Sequence, residues 1–284
     1  MSQIAASTDR FAATVASLTE AQVAEATLVP PWTRGHVITH VARAADSLCR
    51  LLTWARTGVE TPQYASMEAR AAEIEAGARR PVDDLTTDVL DSAARFAEAV
   101  RAVPSTAWHT EVRMRTGELR TPATLVPTRL RELELHHADL DSGYGFTDIP
   151  ADATRWIIDD IVEALARRGD TPPLRLETTD TGLVHALGTG GTTVRGRQAD
   201  LLGWLSGRSS APDSPLTGPT QFPRRPSGSD GIPATARASR SNTGIHRSDP
   251  LHGKPPTSDR LRSQHLASRG VGAPAVGHAG AWPR

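Results

Sequence analysis

The chain has no net charge: 32 basic and 32 acidic residues balance over 284 positions. That balance excludes the global basic field that draws nucleic acid or anionic lipid, and equally the acidic excess that implies a basic partner. No apolar run approaches the roughly 20 residues needed to cross a bilayer. The start, MSQIAASTDRF, lacks the charged beginning and apolar centre of a signal peptide. A cytoplasmic monomer with a small-molecule partner, and no nucleic acid or membrane, is the expectation. Cysteine is nearly absent. Cys49 alone cannot form an internal disulfide, which suits a reducing compartment, so any thiol chemistry draws its thiol from outside. Cys49 sits in an apolar helical stretch without an evident base and is expected in the core. Lys254 is the only lysine, an arginine bias that fits a GC-rich genome and says nothing about mechanism. There is no internal repeat.

Composition changes near residue 209: the final segment, residues 211–284, holds no glutamate but eleven of the 21 prolines and nine of the 23 glycines. Its apolar residues follow neither period 2 nor period 3.6, so residues 209–284 are expected to be a disordered tail, whether natural or an out-of-frame extension. Before it the pattern is mainly helical. Ile4, Phe11, Val15 and Leu18 recur at helical spacing, and a second helix is expected from an N-cap at Thr33 toward Gly58. Further helical periods lie around 67–79, 82–102, 124–141 and 151–168, giving a helix-on-helix bundle over residues 1–168. Residues 110–120 alternate around Gly117 and suggest a short hairpin. Three short extended stretches and a closing helix then predict a small α+β unit over 171–208, too small to stand alone and therefore docked on the bundle.

The stretch RELELHHADL, residues 131–140, concentrates metal-ligating side chains on a helix. Positions four apart share a face, so Glu132 and His136 can converge on one ion, while Glu134 points to the opposite side and His137 sits about 100° around. A catalytic zinc wants three nitrogen or oxygen ligands and an open fourth position, so a third ligand must come from elsewhere. GHVITHVARAAD supplies two histidines. His40 shares the apolar face of Val37, Val41, Ala44 and Leu48, whereas His36 lies in the first turn near solvent, which makes His40 the third candidate. Glu134 and Asp139 are expected at the surface, and His137 facing solvent or behind the ligands. ExxxH on a helix is common, and a histidine on an apolar face is more often a hydrogen-bonded core residue than a ligand. Spacing alone therefore leads to a candidate site in a helical bundle and stops there.

PWTRGHVITHVARAADSLCRLLTWARTGVETPQYASMEARAAEIEAG, together with TRLRELELHHADL and GFTDIP, resembles the mycothiol-dependent maleylpyruvate isomerases over roughly residues 5–208. The resemblance implies a DinB-like four-helix bundle followed by a small α+β C-terminal domain. It also implies a zinc or other divalent-metal site at His40, Glu132 and His136, with mycothiol as thiol cofactor. The family's Gly-Arg pair after the last helix matches GWLSGR and implies a catalytic role for Arg208, holding a substrate carboxylate or stabilising enolate charge. The implied reaction is the cis to trans isomerisation of maleylpyruvate to fumarylpyruvate in gentisate breakdown, by thiolate addition, bond rotation and elimination. Another mycothiol-dependent transfer or detoxification on the same fold, or a non-enzymatic metal-binding regulatory module, would share these residues.

Overall fold

The computed structural model describes residues 1–168, 171–210 and 212. The expected disordered tail, apart from residues 209, 210 and 212, lies outside them. Four helices make the bundle: α1 (Ser2–Ala16), α3 (Arg34–Thr57), α5 (Val82–Arg101) and α6 (Pro122–Asp139). α3 packs on α5 and α6, and α1 packs on the same two, so the ring closes around one core. Phe11, Val15, Val37, Val41, Leu51, Leu85, Val89, Leu125 and Leu133 are wholly buried in it. These are the positions that recur every three or four residues, and burying such a stripe supplies most of a helix's stability.

The local signals explain where the elements stop and start. α3 begins after Thr33, whose hydroxyl and amide lie 2.8 and 3.2 Å from Nδ1 of His36, and it ends at Gly58 with φ 72°, a left-handed cap. α6 starts two residues before the apolar period suggests, because Pro122 occupies its first turn, where a missing N–H costs nothing. The short α2 (Glu20–Val23) and α4 (Met67–Gly77) lie against α3. The hairpin β1 (Val112–Arg113) and β2 (Leu119–Arg120) pairs Val112 with Arg120 and feeds directly into α6.

Two glycines let α4 and its exit approach α3 where the site is built. A Cβ at Gly35 would lie 2.0 Å from the carbonyl oxygen of Ala78, and one at Gly77 would lie 2.4 Å from Cγ2 of Thr39. Backbone cannot retreat as a flexible side chain can. Gly35→Ala is therefore expected to destabilise the fold by roughly 1–3 kcal/mol, outweighing the better helix propensity of alanine. Thermal melting checks this, and an unchanged or raised transition would show that the approach is looser than drawn.

The mixed α+β segment follows. α7 (Ala151–Arg168) touches α6 and packs more extensively on β4 (Val184–Leu187) and α8 (Gln198–Leu205). In the three-stranded sheet β3 (Leu174–Thr178) is central, antiparallel to β4 and parallel to β5 (Thr192–Gly196). α8 ends in a turn in which Gly207 takes φ 78° and the amide of Arg208 bonds back to the carbonyl of Gly203 at 2.8 Å. That turn reverses the chain and carries Arg208 to the C-terminal end of α6. Among the described residues no helix is long and apolar enough to cross a membrane.

Candidate metal centre

His40 is seven residues into α3, and Glu132 and His136 are one turn apart on α6. Because these helices pack side by side, the three side chains meet. His40 Nε2 lies 3.1 Å from His136 Nε2 and 3.3 Å from Glu132 Oε2, and His136 Nε2 lies 3.5 Å from the same oxygen. Tetrahedral zinc with bonds of 2.0–2.1 Å separates its ligand atoms by about 3.3 Å. The donor set, two imidazoles and a carboxylate, is also one that zinc accepts at catalytic sites, so the residues fit the ion. The histidine side chains are 4% and 6% exposed and Glu132 is 20% exposed, so the cluster reaches solvent on its carboxylate side.

The protons of this cluster follow from its partners. Asp139, wholly buried, accepts a hydrogen bond from His136 Nδ1 at 2.8 Å. With its proton on Nδ1, a neutral His136 would offer the lone pair of Nε2 to an ion. Arg208 holds Asp139 in turn, Nε to Oδ1 at 2.9 Å and Nη2 to Oδ2 at 2.8 Å, while Nη1 donates to the carbonyl of Ser206 at 2.5 Å. Burial alone would raise the Asp139 carboxyl, but the hydrogen bonds from Arg208 and His136 hold it down at about 2. Burial disfavours charged His136 as well, yet Asp139 and Glu132 raise its pKa on balance. His40 goes the other way. Burial pushes it down to about 3 despite the Glu132 hydrogen bond, so its ring is neutral and available as a ligand. Glu132 is held well below the carboxylate range: burial opposes ionisation, and the bonds from His136 and His40 outweigh it.

The remaining residues of the sequence reading fall elsewhere. His36 caps α3 and faces Glu75, with Nε2 3.0 Å from Oε2, away from the cluster. Three expectations are corrected. Glu134 is buried, not superficial, and is bound by Ser7, by the Tyr144 hydroxyl and by Arg10 at 2.7 Å. His137 is buried as well, bonded to Thr14 at 2.8 Å and stacked on Tyr144 with centroids 3.7 Å apart. Asp139 is the most enclosed of the three. α6 packs on α1 as well as on α3, which covers Glu134 and His137 on the side turned from His40, whereas Asp139 is covered by Arg208 from the turn after α8. Cys49 is only partly buried at the core's edge, and burial together with Asp46 pushes its thiol up to about 11, so it is no thiolate at neutral pH. Asp139 is the functional residue that spacing could have exposed, since it lies three positions after His136 on the same face. Arg70 of α4, with Nη2 3.3 Å from His40 Nδ1, carried no sequence signal.

Residues 4–141 match the family model described as the mycothiol maleylpyruvate isomerase N-terminal domain. The crystal structure of a mycothiol-dependent maleylpyruvate isomerase is similar to this one with a TM-score of 0.69 and 29% identity, over 77% of this chain and 93% of that one. A second crystal structure, of a histidine-to-alanine mutant of that enzyme, matches to the same degree. No curated protein matches the chain.

Proposed function

We propose, from the match of residues 4–141 to the family model of the mycothiol maleylpyruvate isomerase N-terminal domain, that this protein isomerises maleylpyruvate to fumarylpyruvate with mycothiol, a step of gentisate breakdown. The observation that carries the proposal is the convergence of His40, Glu132 and His136 at zinc-like spacing, with both histidines buried and the carboxylate partly exposed. These three residues would hold the ion. The chemistry that bound zinc and mycothiol supply is a thiolate at neutral pH, able to add to the conjugated double bond and to leave after rotation about the resulting single bond.

The chain's own residues do the rest. Glu132 contributes the one negative charge among the ligands, so a divalent ion keeps net positive charge and favours the thiolate. Asp139 fixes the ring and tautomer of His136, the task that a carboxylate behind a ligating histidine commonly performs. Arg208 spends its fork on Asp139, so its role in this reading is to position the ligand set through that carboxylate. Trp32, 2% exposed with its ring 5.3 Å from that of His40, excludes water from the inner side of the site.

Purified protein supplied with zinc, mycothiol and maleylpyruvate tests the proposal. Fumarylpyruvate should form while the thiol is recovered. A stable adduct with thiol consumed would assign the site to mycothiol transfer instead, and full zinc binding without either product would leave a metal-binding module.

A further inference from the structure

Arg70 is a buried cation with no carboxylate. It is 3% exposed, its Nε has no hydrogen-bond partner, and it forms no ion pair among the described residues. Its Cζ lies 5.9 Å from the Trp32 ring centroid and 5.6 Å from that of Tyr64, so two aromatic rings support the guanidinium without neutralising it. Arg115, in the β1–β2 turn, adds repulsion from a charge of its own sign. A second guanidinium, Arg129 on α6, is wholly buried one turn before Glu132 and bonds only the carbonyl of Val41, leaving Nε and Nη2 without partners. Desolvated charge of this kind is costly unless a counter-charge meets it. Glu132 attracts both guanidiniums across space but, among the described residues, ion-pairs with neither, so each lacks a carboxylate in direct contact.

The contact that Arg70 does make is informative about timing. A guanidinium only donates, so His40 Nδ1 accepts from Arg70 Nη2 and the ring's proton sits on Nε2. That proton faces Glu132 Oε2 at 3.3 Å and His136 Nε2 at 3.1 Å, on the edge of the ring that an ion would occupy. A metal ligated through His40 Nε2 requires the opposite tautomer, with Nδ1–H facing an Arg70 N–H. Ligation and the Arg70 contact therefore oppose each other, and a loaded site turns the guanidinium toward another acceptor.

Resting on the isomerase reading, we infer that Arg70 is the carboxylate-binding group of the metal pocket, released from His40 by metal ligation and neutralised by a carboxylate of an unsaturated dicarboxylic substrate. Maleylpyruvate carries such a carboxylate next to the double bond that must rotate. A cation held there fixes the substrate end beside the bond that must rotate, while the charge that develops as the thiolate adds passes to the ketone at the other side of that bond. Metal and anion binding are then coupled, each favouring the other.

Maleate, a simple dicarboxylate, is the probe. Its affinity is measured by calorimetry on the full chain with and without zinc, for the parent protein, Arg70→Met and Arg70→Lys, beside zinc content and melting temperature. Methionine keeps the stem that packs on Trp32 and Tyr64. The expected result is tighter maleate binding with zinc than without, about 10- to 100-fold weaker binding in Arg70→Met at unchanged zinc content, and partial recovery in Arg70→Lys. Equal maleate affinity in parent and Arg70→Met, or no maleate binding by the zinc-loaded parent, overturns the inference. Loss of zinc from both variants also overturns it and makes Arg70 a support for His40. If the parent fails to isomerise maleylpyruvate yet loses maleate binding on Arg70→Met, the isomerase reading falls and the carboxylate site stands.

Discussion

His40→Ala is expected to remove most bound zinc and nearly all turnover. With three protein ligands, loss of one leaves Glu132 and His136, both on a single helix, and two ligands do not hold zinc against water. The contrast variants make the result specific. His36→Ala should keep zinc and activity, because its ring serves the α3 cap and Glu75. His137→Ala should keep zinc as well but lower stability by roughly 1–3 kcal/mol, since it strips a partly buried hydrogen bond from Thr14 and a stacking partner from Tyr144. Elemental analysis and thermal melting of the three proteins decide it. Full zinc in His40→Ala would exclude this ligand set.

Arg208→Ala should reduce zinc affinity about 10- to 100-fold and melt well below the parent, because its partner Asp139 is wholly buried. Removing one member of such a pair strands the other, at a cost of roughly 3–5 kcal/mol. With only Nη1 and Ser206 outside the pair, the guanidinium has little left for a substrate carboxylate. Arg208→Lys should restore part of the stability and little of the geometry, since an ammonium cannot grip both carboxylate oxygens in one plane. Competition with a zinc chelator, alongside steady-state rates, separates the two roles. An alanine variant with parental zinc affinity and a turnover loss of about 10²-fold would return Arg208 to direct contact with substrate.

Much of the architecture was legible because it rests on short-range signals. Thr33, Gly58 and the apolar face from Val37 to Leu51 mark α3 without any knowledge of its neighbours, and Gly117 marks the hairpin. The i,i+4 pair Glu132 and His136 was legible for the same reason. What spacing could not supply was the second surface of α6. Whether Glu134 and His137 face water depends on where α1 lies, and the cover over Asp139 on the turn after α8; no local pattern in α6 encodes either. α7 reads as one more bundle helix by its period, while its packing on β4 and α8 depends on a sheet that forms from residues further on. Arg70 was the hardest to see: an arginine in a short helix looks like solvated charge, and only the meeting of Trp32, Tyr64 and His40 around it shows otherwise.

The separation of Asp139 from Arg208 along the chain also orders events during synthesis. All three candidate ligands and Asp139 are made within the first half of the chain, and the arginine that neutralises Asp139 comes 69 residues later. At ribosomal rates of about 5–20 residues per second, that interval lasts roughly 3–14 seconds. Through it the nascent bundle holds a carboxylate beside His136 that lacks its cation, so the site completes only when the turn after α8 has left the ribosome.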